Sequence, residues 1–492
     1  MAANTLNPAQ LDSHRGSALL VPVVGLPLTL LGFFVLAIDR GQQFLAFGTM
    51  GICFVALAGI FLLSNGPIGT QWYTAPGFIT ILGIVEFVGV PFLRISTGED
   101  QIDSDYLRAM AYLLLGFFML WVACWVLKKP SSITFVPQLA TGMPRIHAAA
   151  ALFFAIGVAA NIVLWKLGAI GYVITSTQQF SSDVSGVGAL VATTDMLTMA
   201  MLVSGIEIFG KGSKSPAMRL LFAASFILDL GFGMISGMKI EVLMPLFMLA
   251  LLLGVVRRRL PRLAFALPLI FLGMQPFVNA YRLNLNAGYA AQINTVGGLA
   301  SAVTKSVEDV LAGPSLAGNR QTVFETAESR LSVLGLFHNV LQLPSPDLLN
   351  GDETVWMAPF YPFIPRPLWK GKPVFDKGQR MSEALGIGRA SSTNVPAIAD
   401  MYALGGTGGI VVGMFLWGAI LQIFMNNFKG SLSEKGIFFY VLILFQLTNI
   451  EHDVVAMIGA VVETACILLL LSTLVYGGPL FSPNSTASKR TP

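Results

Sequence analysis

The sequence predicts an all-α polytopic membrane protein with about twelve transmembrane helices, both ends in the cytoplasm, and one large extracytoplasmic loop carrying short helices. Three observations predict it. Apolar residues make up 54% of the chain and charged residues only 11%, against about 25% charged in soluble domains; mean hydropathy is +0.72. Many apolar runs reach the ~18–20 residues needed to cross a hydrocarbon core as a helix, where a lipid-spanning barrel would show ~10-residue alternating segments. Lys and Arg are distributed unevenly between alternate connections, as membrane orientation requires.

The expected spans are 17–38, 43–64, 75–97, 106–127, 146–170, 187–210, 219–236, 240–256, 263–280, 402–425, 436–449 and 453–476. The first lacks a small-residue cleavage site, so it is read as a retained span and not a signal peptide. With the N-terminus inside, the cytoplasmic connections and tails hold fifteen basic residues. They include Lys128, Lys129, Arg145, Lys211, Lys214, Arg219 and the run Arg257–Arg259. The opposite short connections hold four: Arg40, Arg94, Arg108 and Lys239. That bias puts both termini inside. The chain then divides into an N-terminal bundle (1–280), an extracytoplasmic loop (281–401), C-terminal spans (402–476) and a cytoplasmic tail (477–492). Cys53, Cys124 and Cys466 all lie in apolar segments, so no disulfide framework is implied.

Loops beyond ~12–15 residues are usually functional or disordered. This one is rich in Leu, Val, Phe, Tyr and Trp, which is not the composition of disorder. Apolar spacing predicts helices over 319–343 and 301–311. The aromatic- and proline-rich stretch 357–373 reads as an ordered, non-helical cap. Charge is balanced over the loop but not locally. Arg366, Lys370, Lys372, Lys377, Arg380 and Arg389 face only Asp376 and Glu383, a local net of +4. Arg282, Arg320 and Arg330 add guanidinium groups upstream. Planar guanidinium forks bind diphosphate through paired hydrogen bonds and never lose their charge, so the cluster is a candidate anion site; solvated loop charges are the alternative.

The stretch Phe363-Ile-Pro-Arg-Pro-Leu-Trp-Lys-Gly-Lys-Pro373 resembles a loop signature of bacterial O-antigen and exopolysaccharide repeat-unit polymerases, matching at Phe363, Ile364, Pro365, Arg366, Trp369, Lys372 and Pro373. Asp400-Met-Tyr402, followed by Gly406 and Gly409, resembles the pattern that opens the next helix in that family. The motifs cover roughly 363–410, while span count and loop position fit over the whole chain. The resemblance implies a glycosyltransferase of the bacterial cytoplasmic membrane. It would join undecaprenyl-diphosphate-linked oligosaccharide repeats at the outer face, with no cofactor or metal. Its partners would be membrane lipids and the flippase and chain-length regulator of the same pathway, not nucleic acid.

A diphosphate leaving group develops charge as the glycosidic bond breaks, and fixed cations stabilise it. Arg282, Arg330 and Arg366 are the candidates, with Lys372 in support; Arg320, Lys370 and Arg380 extend the cluster. Tyr281, Trp369 and Tyr402 are candidate diphosphate or sugar contacts. The general base that takes the acceptor proton is sought among His338, Glu325, Asp400 and the Glu451-His452-Asp453 turn. Asp400 is equally a candidate cap for a helix starting near Met401. Glu86, Lys166, Asp195, Glu207, Asp229 and Glu463 fall within apolar segments, where ionisable groups pair or line a cavity. Pairing of Lys166 with Asp195 or Glu207 between adjacent spans is one account, and snorkelling to a nearby interface is another. Three rival readings stand: an O-antigen ligase, a transporter of the same lipid-linked sugars, and a purely structural partner of a polysaccharide assembly complex. No metal-ligand spacing, phosphate-binding glycine loop or nucleophile motif is present.

Overall fold

The computed structural model describes residues 29, 43–64, 73–96, 101–128, 135–137, 144–168, 190, 193–257, 270, 274, 276–278, 280–285, 294–311, 333–351, 354–361, 364, 369, 372–373, 376–386, 395–428 and 430–477. Among them, the fold is helical apart from two three-residue strands.

Helix α1 is Gln43–Ser64. Helix α2 is composite: Ala75–Ile84, a π-helical turn Val85–Gly89, then Val90–Ser96. It starts on Thr74, whose hydroxyl accepts from the Gly77 amide, with Pro76 in the first turn. Helix α3 is Ser104–Leu127 and α4 is Pro144–Lys166. Helix α5, Met196–Gly205, ends in a second π-helical turn, Ile206–Gly210. Helices α6 (Pro216–Ser236) and α7 (Lys239–Arg257) form a tight hairpin. Gly237 takes φ 67° at its turn, a conformation that costs glycine little. The loop region contributes α8 (Val296–Leu311), α9 (Val333–Leu341) and α10 (Lys377–Ala384). Helices α11 (Ala397–Asn427), α12 (Glu434–Leu447) and α13 (Val454–Tyr476) complete the bundle.

Seven of these, α1 to α4, α6, α11 and α13, contain stretches long and apolar enough to cross a membrane. Their outward side chains are apolar too: Ile52, Leu220 and Leu474 are among the most exposed hydrophobics. This is an α-helical membrane protein. Expected spans 17–38 and 263–280 lie outside the described residues except at isolated positions. Expected loop helix 319–343 is described only from Val333, and helix 301–311 begins earlier, at Val296. Helix α11 begins at Ala397 rather than 402. Helix α10 has no counterpart in the apolar pattern; it is short and mostly polar.

The core sits between α3 and α11. Without hydrophobic drive between helices in lipid, close approach needs small residues. A side chain at Gly418 would collide with the Leu120 carbonyl, and one at Gly116 would lie 2.8 Å from Ile398. Phe54, Phe61, Phe117 and Trp121 fill the space towards α1, and Trp121 Nε1 donates to Thr80 Oγ1 at 3.0 Å. At the end of the bundle away from the loop, strands β1 (Phe135–Pro137) and β2 (Gly430–Leu432) pair in parallel, Phe135 opposite Gly430.

Lys166 does not neutralise Asp195 or Glu207. Its ammonium lies 4.6 Å over the Trp165 ring and 3.4 Å from the Asn294 carbonyl. It stands in the last turn of α4, while Glu207 is twelve residues, about 18 Å, along α5 from Asp195. Glu207 instead accepts from Lys211 one turn away.

Candidate functional site

Described parts of the loop pack on one end of the bundle, here termed the loop end. Helix α9 packs there against α3, α11 and the π-turn of α2. Its buried face is Val333, Leu334, Leu336, Phe337 and Val340, an i, i+3, i+4, i+7 stripe. That insertion fixes where His338 stands.

His338 Nε2 lies 3.0 Å from both carboxylate oxygens of Asp103. A carboxylate only accepts, so this pairing requires the hydrogen on Nε2, and in the neutral imidazole Nδ1 is then the basic atom. Gln342, one turn on, donates to Asp103 Oδ2 at 3.2 Å, and Tyr106 meets the imidazole edge-on at 5.4 Å. Asp103 also caps α3, accepting from the Tyr106 amide at 2.7 Å. One carboxylate therefore satisfies a helix start and orients a histidine from a distant helix. Burial alone would raise the Asp103 carboxyl, but the Tyr106 amide and His338 outweigh it, and it sits below its ordinary value.

One helical turn further along α3, the Arg108 guanidinium lies 5.8 Å from the Tyr112 ring centre and 3.7 Å from Asp105. Its side chain is half exposed. Tyr112 packs with Phe337 and Tyr402, and Thr407 donates to its hydroxyl at 3.3 Å. Tyr402 thus joins α3, α9 and α11 at one place. Three residues later α11 breaks: Gly405 and Gly406 leave helical geometry, with Gly406 at φ 57° and ψ −143°. A side chain at Gly405, Gly406 or Gly408 would meet open space, whereas one at Gly409 would strike the Met401 carbonyl. The second segment of α11 therefore starts with bare, exposed backbone, and its Thr407 reaches the Tyr112 hydroxyl.

Asp400 is placed elsewhere. It is fully buried, bonds Lys377 Nζ at 2.7 Å through Oδ1, and accepts the Val454 amide at 2.9 Å through Oδ2. It caps no helix of its own; it serves the first turn of α13 and anchors α10. The other described cations are similarly engaged. Arg380 Nη1 bonds Asp376 at 2.5 Å, and Lys372 Nζ donates to the Ile364 carbonyl at 3.0 Å. Arg282 Nε donates to the Gly237 carbonyl at 2.6 Å, tying down the α6–α7 turn. Tyr281 is buried beside it, its hydroxyl donating to the Ile235 carbonyl, and burial pushes the phenol up to about 12. Trp369 stacks on Tyr361 at 5.5 Å. Arg320, Glu325, Arg330, Arg366, Lys370 and Arg389 lie outside the described residues.

In the Glu451-His452-Asp453 turn, Asp453 caps α13 by accepting from the Ala456 amide at 2.9 Å. Burial pushes the Glu451 carboxyl up, and burial lowers the His452 imidazole against the opposing charge of Asp453. Glu86 brings a second carboxylate from the π-turn of α2; its Oε2 is buried without a hydrogen-bond partner among the described residues.

Asp103, Arg108, Tyr112 and Gln342 are additions to the sequence-based set. The signal for Asp103 is local, an Asp three residues before the Tyr106 amide at the start of an apolar run. Its partnership with His338 has no local signal.

The fold and site define a helical membrane protein in which loop helix α9 sets a histidine–carboxylate pair at one end of the bundle. Residues 113–442 match the family described as "Domain of unknown function (DUF8712)", and the chain belongs to that family. No curated protein and no solved structure matches it.

Proposed function

We propose that this protein is a membrane glycosyltransferase that joins polyprenyl-diphosphate-linked oligosaccharide repeats at the extracytoplasmic face of a bacterial cytoplasmic membrane. The observation that carries this reading is the His338–Asp103 pair, 3.0 Å apart where the loop meets the bundle. The motif resemblance over 363–410 supports the substrate class.

In this mechanism the acceptor sugar hydroxyl attacks the anomeric carbon of the donor chain. His338 Nδ1 takes the hydroxyl proton, and Asp103 stabilises the imidazolium that forms. The anomeric carbon–oxygen bond to the lipid diphosphate breaks, and the electron pair leaves on that oxygen. Arg108 and the amides beyond the Gly405–Gly406 break are the described groups suited to the developing charge. Arg320, Arg330, Arg366 and Lys370, the loop cations that the sequence assigns to the clamp, lie outside the described residues. The motif resemblance implies a metal-independent reaction, with fixed cations and helix-start amides meeting the charge on the diphosphate. The described loop cations Lys372, Lys377 and Arg380 take a supporting part, holding the loop's shape.

The break in α11 favours one second reading, a transporter of the same lipid-linked sugars, because transporters often place substrate at interrupted helices. One experiment separates them. The gene is deleted, and lipid-linked and surface glycans are resolved on a gel, with rescue by wild type or His338→Gln. Loss of the long-chain ladder with single repeats still exported, unrescued by His338→Gln, supports the polymerase. Repeats trapped on the cytoplasmic side support the transporter, and long chains left on the lipid carrier mean a ligase.

A further inference from the structure

The segment from Thr354 to Tyr361 carries aromatic surface that the site does not use. Val355, Ala358 and Tyr361 turn inward and pack with Trp369 against Val455 and Ile458 of α13. The Tyr361 hydroxyl accepts from the Thr354 amide at 2.9 Å, closing the segment into a short loop. Trp356, Met357 and Phe360 point the other way. Trp356 is 88% exposed and Phe360 53%, among the largest bare apolar side chains on the molecule.

Two features say what covers them. Val455 and Ile458 share a face of α13 with Val462, Cys466 and Leu469, at steps of three and four residues. Farther down, that face is bare and apolar: Cys466 and Leu469 are exposed, as is Leu470 beside them. The loop segment therefore caps the top of the same helix face that meets lipid below. Depth is fixed by length. Helix α13 has 23 residues, about 34 Å at 1.5 Å each, against a hydrocarbon core of about 30 Å. Val455, in its first turn, stands at the edge of the core, and Trp356 adjoins the residue that touches it. Tryptophan is the side chain best suited to that level, with an apolar ring and one N–H donor.

We propose that Trp356, Met357 and Phe360 form a membrane-surface anchor, seated at the acyl–headgroup boundary of the leaflet at the loop end. The anchor sets the height of the loop over the bundle. It depends on the membrane-spanning fold alone and stands whichever reaction the site performs.

The test uses full-length protein carrying Cys466→Ser, in nanodiscs of phosphatidylcholine and phosphatidylglycerol. Nitroxide labels go on Trp356→Cys and, separately, on Phe360→Cys, which keeps Trp356. Leu470→Cys is the lipid control and Gln379→Cys the water control. Collision rates with oxygen and with a water-soluble nickel chelate are measured by electron paramagnetic resonance. The anchor predicts oxygen exceeding nickel chelate at 356 and 360, between the two controls and nearer to Leu470. Rates at both positions matching Gln379 would overturn it, leaving the ledge open to water for a glycan or a protein.

Discussion

Lys377 and Asp400 form an ion pair at 2.7 Å, with side chains only 5% and 0% exposed. The pair joins loop helix α10 to the first turn of α11, and through the Val454 amide to α13. Removing one partner of a buried pair leaves an uncompensated charge, at a cost of about 3–5 kcal/mol. Asp400→Leu is expected to lower the thermal midpoint of the purified protein strongly. Lys377→Met with Asp400→Leu should recover part of that loss, because no lone charge remains. Equal midpoints for the single and double variants would show that the pair is not coupled as the geometry requires.

His338 and Asp103 are predicted to separate function from folding. Asn caps helices as well as Asp does, so Asp103→Asn should keep α3 and leave protein abundance unchanged. It loses the carboxylate that holds the imidazole and stabilises its charge. General-base contributions run about 100- to 10,000-fold. Chain elongation by membranes carrying His338→Gln should fall within that range, and Asp103→Asn should fall in the same direction. Wild-type elongation rates from both would remove His338 from the chemistry.

The Asp103 carboxyl sits below its ordinary value in the folded protein, so the sign of its pH effect is set. A depressed carboxylate contributes stability that is present above the unfolded value, about 3.9. That contribution is lost as pH falls through the lower folded value. The midpoint difference between wild type and Asp103→Ala should therefore shrink as pH falls below about 4. A difference that grew below that pH would contradict the hydrogen bonds seen at this carboxylate.

The sequence made the helices legible because lipid demands long apolar runs, and most expected spans coincide with a helix to within a few residues. Partnerships were less legible. The local excess of loop cations counts sequence neighbours only, whereas Lys377 is neutralised by Asp400, twenty-three positions on. Asp103 and His338 lie 235 positions apart, and only the insertion of α9 between α2, α3 and α11 brings them together. Tyr402 was found through its motif, and the structure gives it Tyr112 and Phe337 as neighbours. Lys166 failed as a partner for Glu207 because hydropathy locates a residue along one helix but does not pair the depths of two.

Lys211 provides the last prediction, at the end of the bundle away from the loop. Its ammonium lies 2.5 Å from Glu207 and 2.9 Å from Glu434, and all three side chains are about nine-tenths buried. One cation thus holds two carboxylates, one in the π-turn of α5 and one in the first turn of α12. Lys211→Met would leave two like charges facing each other without water, the costlier of the two ways to break the triad. Glu434→Gln leaves a one-to-one pair and a hydrogen-bonding amide, so its cost should be smaller. Thermal midpoints should order as wild type, then Glu434→Gln, then Lys211→Met, with the last lowered by the equivalent of about 3–5 kcal/mol. Adding Glu434→Gln to Lys211→Met should raise the midpoint, because it removes one of the two stranded charges. If that double variant melted below Lys211→Met alone, the triad would not be held together by its charges.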